Sequence, residues 1–400
     1  MPASPSKPFF VVFDTSTQAP YYADVHRILA LPPGAILRYE YKRSLFSPKA
    51  WEAMQKLWDE GIGARIDVLV MYGEKKSFVK GQKDPDTMLT WEDSVFVPTR
   101  SARLVNIAKV PGDRPESDNF HFHMEMRGYV DPDAREIETL VRALEAENSL
   151  PFGTKDQYSW VSVLPDSVRP GASALVSDDT KVWKKLIDRI VTLPTQFADD
   201  VFWRLKRVQI KDSRQQVTPT SRPSNVRREP NAWNSDFPVF DGVSYAMVIE
   251  SHSAPGRGGD LPPNPSVAVD VSGDESDLVK LPTKPVEIVP NQEDVSTFTV
   301  RDVKHVGDRY LDLVLTTQSS AAAGAYPIGS TCQISIAVSK ERWRTVAGFA
   351  LVLLAAVSGV VGGIYKDKVE VAAPAAVITV VLGALAYFVF TRKIQLPGLK

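Results

Sequence analysis

His121, His123 and Glu125 occupy alternate positions of one extended run, interleaved with Phe120, Phe122, Met124 and Met126. Successive strand side chains point to opposite faces, so this spacing gathers two imidazoles and a carboxylate on one side. Such a set suits a zinc-type ion, which takes His nitrogen and carboxylate oxygen. The plainer reading is a solvated strand face beside Arg127, because no further ligand stands out in the chain. His26, His252 and His305 are scattered and add nothing to it. Asp14-Thr15-Ser16 follows an apolar run, where catalytic aspartates often sit, but Ser16 stands where a second acid would belong. A turn-capping role fits it better. Cys332 falls on the apolar side of its run and reads as a small core residue. The glycines Gly256, Gly258 and Gly259 lack the following helix that a phosphate-binding loop needs. Neither a G-x-S-x-G elbow, a P-loop nor a paired-cysteine zinc signature is present. The chain leans away from an enzyme, and no cofactor is expected beyond a metal at His121 and His123.

The densest charge feature is basic. Arg204, Lys206, Arg207, Lys211, Arg214, Arg222, Arg227 and Arg228 face Asp212 alone. A solvated linker is the ordinary reading of such a run, and anionic lipid is the next. Only Trp203 is interleaved, so bases would find no stacking platform and nucleic acid is disfavoured. The whole chain of 400 residues carries a net charge of -1, which gives no global pull toward polyanions. A single cysteine forbids an internal disulfide and suits a reducing compartment. The N-terminal stretch has only the short apolar run Phe9–Phe13, too brief for a secretory signal.

Two uncharged stretches of twenty residues, 346–365 and 371–390, close the chain. Helices of that length span about 30 Å, the thickness of a bilayer core. Each holds ten Leu, Ile, Val or Phe residues and favours insertion by a few kcal/mol. The short link between them predicts a two-helix transmembrane hairpin, with Pro374 in the first turn of its second helix. Lys340, Arg342, Arg344, Arg392, Lys393 and Lys400 flank the hairpin, against Lys366 and Lys368 in the link, which predicts both termini on the cytoplasmic side. Arg342, Arg344, Arg392 and Lys393, together with Arg204, Lys206 and Arg207, are the expected contacts with lipid or another polyanion. Ala355, Gly359 and Gly363 recur at four-residue spacing on one helix face, where small residues let backbones approach. They pack either against the partner helix, at Ala372, Ala376 and Gly383, or against a second chain.

Residues 1–150 read as an α+β domain. Ala35–Lys42 alternates as a strand should, and Ser47-Pro48 opens a helix striped by Trp51, Met54, Leu57 and Trp58. Further strands are expected at Ala64–Met71, Trp91–Val97, Arg103–Val110 and Asn119–Tyr129, with a helix after Asp131-Pro132. Residues 151–210 read as a helical segment, because Val182, Trp183, Leu186, Ile187 and Ile190, then Phe197, Val201, Phe202 and Leu205, fall at helical spacing. Residues 211–236 read as a basic, Pro-containing linker. Residues 237–340 read as an all-β, sandwich-like domain, and 341–400 as the hairpin.

In architecture alone, the chain is similar to membrane-acting effectors of bacterial defence systems, which join a cytoplasmic sensing or assembly domain to a few transmembrane helices. That resemblance implies an inner-membrane, two-pass sensor and effector whose self-association acts on the membrane, triggered by a protein or small ligand. A passive membrane-anchored binding or adaptor protein is the first alternative, and a metal-dependent enzyme the second.

Overall fold

The structure is a computed structural model and describes residues 9–15, 24–59, 66–75, 94–112, 118–147, 161–171, 174–176, 180–192, 201–213, 215–223, 233–253, 266–272, 276–301, 309–318, 331–339, 342–364 and 368–390. It is a mixed α/β protein, with six α-helices among the described residues. The N-terminal part runs β1 (Phe9–Thr15), α1 (Asp24–Ala30), β2 (Ile36–Lys42), α2 (Pro48–Asp59), β3 (Ile66–Lys75), β4 (Ser94–Val110), β5 (Asn119–Val130), α3 (Glu136–Glu147), β6 (Val161–Leu164), β7 (Leu175–Val176) and α4 (Thr180–Val191). Its strands form one sheet in the order β2-β5-β4-β3-β1-β6, with β7 paired to β5. Among the strand pairs of the described residues, β1 and β3 run parallel and the others antiparallel.

Local chemistry explains these elements. The Ser47 hydroxyl accepts from the Ala50 N–H at 3.1 Å and caps α2, ahead of a proline that has no N–H to leave orphaned. In place of two strands, residues 94–110 form a single long β4, which absorbs Pro98 through a bulge. The register against β3 shifts there, and the Thr99 hydroxyl takes the Val70 carbonyl at 2.8 Å.

The remaining strands are β8 (Phe202–Ile210), β9 (Gln216–Val217), β10 (Thr220–Pro223), β11 (Trp233–Phe240), β12 (Ser244–His252), β13 (Ser266–Ser272), β14 (Val279–Lys280), β15 (Val286–Glu287), β16 (Glu293–Val300), β17 (Arg309–Gln318) and β18 (Thr331–Ser339). They build a six-stranded sheet, β10-β11-β18-β17-β13-β15, and a five-stranded sheet, β14-β16-β12-β8-β9. The two sheets share one core: Leu205, Met247 and Phe298 from one belong to the same apolar cluster as Leu313, Ile334 and Ile336 from the other. The Trp203 indole N–H joins the sheets by donating to the Thr317 hydroxyl at 2.8 Å.

Two expectations fail here. Within the segment 151–210 read as helical, α4 covers Thr180–Val191, but β6, β7 and β8 are strands, and β8 pairs with β12 along its length; 193–200 lie outside the described residues. The linker 211–236 contains β9, β10 and the start of β11, so much of it is sheet. Helical spacing of apolar residues cannot by itself outweigh a β12 edge that needs a hydrogen-bonding neighbour.

The expected boundary between an N-terminal domain and a β domain is bridged by α1. Helix C-terminal carbonyls have no partner inside the helix, and here distant side chains supply them. Arg100 of β4 donates to the Ile28 and Leu31 carbonyls at 3.0 and 2.5 Å. Tyr129 of β5 and Trp183 of α4 both donate to Leu29, at 2.9 and 3.2 Å, and the Cys332 thiol of β18 sits 3.8 Å from the Ala30 carbonyl. Ser235 of β11 donates to the Gly34 carbonyl nearby. One apolar cluster accordingly runs from Phe10 and Phe122 through Ile28 to Ile336.

After β18 come two helices of similar length, α5 (Arg342–Ile364) and α6 (Val369–Phe390). Among the described residues, no helix is long and apolar enough to cross a membrane. The described side chains reach only from Phe349 to Ile364 and from Ala373 to Ala386, each short of the roughly 20 residues a bilayer core requires. The observed feature is therefore a helical hairpin, and its transmembrane character is not an observation. Pro374 lies inside α6, beyond its first turn, because the helix starts at Val369.

Candidate functional site

The small-residue face of α5 is used inside the hairpin. Thr379 of α6 lies against Gly359, 3.8 Å from where a β-carbon would stand. The Ser358 hydroxyl donates to the Ala375 carbonyl at 2.9 Å, and the Thr379 hydroxyl reaches the Ala375 and Ala355 carbonyls at 2.8 and 3.4 Å. Ala355 and Gly359 thus meet the partner helix at Ala375 and Thr379, while the side chain of Ala372, one of the expected contacts, lies outside the described residues. Gly363 and Gly383 face open space. Ser358 and Thr379 were legible as signals, since each is the lone Ser or Thr of its uncharged run.

Away from that seam the hairpin presents apolar side chains outward. Phe349, Leu353 and Ile364 of α5 are 65%, 66% and 69% exposed, and Val380 of α6 is 72% exposed. Elsewhere among the described residues, the exposed large hydrophobics are Val110, Val295 and Tyr310, at 42%, 56% and 45%. An exposed apolar patch confined to one element marks a surface that meets lipid or protein.

The basic run divides differently from expectation. Arg204 is 1% exposed, so lipid or polyanion contact does not hold for it. Its Nε and Nη2 donate to the Glu250 carboxylate at 2.9 and 2.7 Å, with the Thr180 hydroxyl on the same oxygen at 3.2 Å. The guanidinium stacks 4.9 Å from the Trp183 ring and 5.2 Å from Tyr129. Burial works against its charge, but Tyr129 and Glu250 outweigh burial and hold it protonated beyond its usual range. Lys206 meets Glu293 at 2.7 Å and Glu250 at 3.6 Å, and Arg207 lies 3.6 Å from Glu293. The hydrogen bond from Lys206 pulls the Glu293 carboxyl below its ordinary range. These cations are therefore taken up by carboxylates of the sheet, which sequence proximity could not show. Arg342 and Arg344 open α5, while Arg392 and Lys393 lie outside the described residues.

His121, His123 and Glu125 stand at alternate positions of β5. Among the described residues, no group of three His, Cys, Asp or Glu side chains is placed to hold a metal. His121 leans across to Glu40 of β2 at 3.5 Å, His123 is buried opposite Asn106, and Glu125 lies opposite Arg103 in register. Cys332 is fully buried, and burial pushes its thiol up to about 12, which suits a core residue. Asp14 and Thr15 end β1, whereas Ser16, Gly256–Gly259 and His305 lie outside the described residues.

A second polar junction was missed. His252 at the end of β12 contacts Asp188 of α4 and Asn291, at 2.7 and 2.6 Å. Nothing in the local sequence links these three positions. No protein-family model and no curated protein matches the chain.

Proposed function

We propose that this chain is a membrane-anchored sensing or adaptor protein, held at the inner membrane by the α5–α6 hairpin with both termini on the cytoplasmic side. The observation that supports it is the outward apolar surface of Phe349, Leu353, Ile364 and Val380, confined to the hairpin. In water such a surface drives association, whereas lipid solvates it at no cost. The uncharged runs 346–365 and 371–390 supply the length that the described side chains alone lack. Because β18 ends at Ser339 and α5 begins at Arg342, the sheets stand close to the bilayer surface in this reading.

The anchor reading is favoured over a membrane-disrupting effector by the hairpin seam. Ala355 and Gly359 are engaged with α6, so the face that would join chains together is occupied. Open space at Gly363 and Gly383 favours the effector, since it leaves backbone accessible to another helix. Flotation with vesicles of zwitterionic and anionic phospholipid tests the shared claim. The full chain should float and a chain lacking 341–400 should not. A full chain that stays monodisperse without detergent would overturn it. Exchange of the hairpin for an unrelated two-helix anchor separates the two roles: an anchor preserves activity, an effector loses it along with vesicle leakage.

A further inference from the structure

We infer that the outer face of the six-stranded sheet, around Tyr310, docks on phospholipid headgroups at the foot of the hairpin. This rests on the membrane-anchor reading and goes beyond it, because an anchor alone leaves the orientation of the sheets open. β18 ends at Ser339 and α5 begins at Arg342. Three chain steps reach at most about 11 Å. Arg342 stands four residues before the uncharged run that starts at Val346, about 6 Å along a helix and so at headgroup depth. The Ser339 end of the sheet is therefore held at the bilayer. Its opposite end, at Thr331, lies about 27 Å back along the strand.

Strand register ranks the outward side chains by their distance from that end. Phe240 pairs with Ser339, while Pro238 and Tyr310 pair with Ala337 from either side. Pro238 is exposed, Tyr310 is 45% exposed, and Phe240 and Ala337 are half-buried. Beyond them the face turns polar. Ser335 donates to the Asp312 carboxylate, and Gln333 donates to the same carboxylate at 2.9 Å. Thr331 and Thr316 follow as the farthest pair, and Val314 beside Gln333 is the large hydrophobic of this outer stretch. Val110 and Val295, the other exposed large hydrophobics outside the hairpin, sit on the other two sheets. The apolar footing of this face is thus gathered in the two rows nearest the hairpin.

Tyrosine suits such a place, because its ring enters the acyl boundary while its hydroxyl stays at headgroup level. Phe240 and Pro238 widen the apolar contact. A visiting protein strand is a poorer occupant. Among the described residues, β10 covers β11 only from Trp233 to Asp236, and past it Pro238 has no N–H to offer a new neighbour. Neither Tyr310, Phe240 nor Pro238 carries a charge, so the dock takes zwitterionic lipid as well as anionic lipid.

Spin labels on the full chain in phosphatidylcholine vesicles test this, with oxygen and a water-soluble nickel complex as relaxing agents. Cys332 is fully buried and leaves the label to an introduced cysteine. A label on Ala337→Cys should relax more with oxygen than with nickel, and a label on Gln333→Cys the reverse. Adding Tyr310→Ser should return the Ala337→Cys label to nickel-dominated, aqueous behaviour. Pro238→Cys, a change at an exposed position, serves if Ala337→Cys fails to fold. Aqueous labels at both positions of a chain that floats with the vesicles sink the dock and leave the anchor standing. A chain that does not float sinks both. A label shielded from both agents assigns the patch to protein contact, and a label indifferent to Tyr310→Ser takes Tyr310 out of the dock; either result overturns the inference.

Discussion

Removing the Glu250 carboxylate should be among the most damaging single changes outside the apolar core. In Glu250→Ala, the Arg204 guanidinium keeps its 1% exposure but loses the oxygen that accepts from Nε and Nη2. The Thr180 hydroxyl at 3.3 Å from Nη2 and the rings of Trp183 and Tyr129 remain, and none carries a compensating charge. Breaking a buried pair from one side costs about 3–5 kcal/mol. That is a large part of the roughly 5–15 kcal/mol that holds a typical domain together. The double change Arg204→Met with Glu250→Leu removes both charges and fills the space, and should restore stability to within about 1 kcal/mol of the parent. Trp183 and Trp203 are both buried, so their fluorescence reports unfolding of the full chain by urea in non-ionic detergent. A double-mutant cycle then isolates the coupling. Two results would refute the reasoning: Glu250→Ala costing under about 1 kcal/mol, or the double variant falling as far as the single one.

Gly34 adopts a φ of +86°, and a β-carbon there would stand 2.5 Å from Pro219 Cγ. Gly34→Ala should therefore lower stability by about 2 kcal/mol or more, read as a shift in urea midpoint with unchanged slope. The Cys332 thiol, pushed up to about 12, should stay unlabelled by a maleimide at pH of about 8 until denaturant exposes it. Prompt labelling of the native chain would contradict its burial. Thr379→Val keeps shape but deletes the hydroxyl that reaches Ala375 and Ala355, so it should weaken the hairpin by about 0.6 kcal/mol, and by at most about 1.7 kcal/mol. Disulfide trapping between cysteines placed at Ala355 and Ala375 would measure that loss as a lower yield.

Much of the secondary structure could be read from local pattern. Strands β2, β17 and β18 alternate in the sequence, so their buried faces of Leu37 and Tyr41, of Leu311, Leu313 and Leu315, and of Cys332, Ile334, Ile336 and Val338 follow from a period of two. Helix α2 announces itself through Ser47-Pro48. The seven-residue α1 leaves too short a pattern to read, although it is the element whose carbonyls gather Arg100, Tyr129, Trp183 and Cys332.

The stretch 202–205 shows where pattern misleads. Phe202 and Leu205 fit a helical stripe, but a helix would leave the β12 edge without partners for its N–H and C=O groups, and pairing along eight residues decides for the strand. Once β8 lies beside β12, Arg204 falls opposite Glu250, and a charge read as surface becomes interior. His252, Asp188 and Asn291 are likewise joined only by folding. The sequence by itself determined where apolar faces and helix caps lie, because those depend on residues within a few positions of one another. Which strands pair, which charges are buried and which side chains meet depended on the tertiary structure, because each is settled by a partner tens to hundreds of residues away.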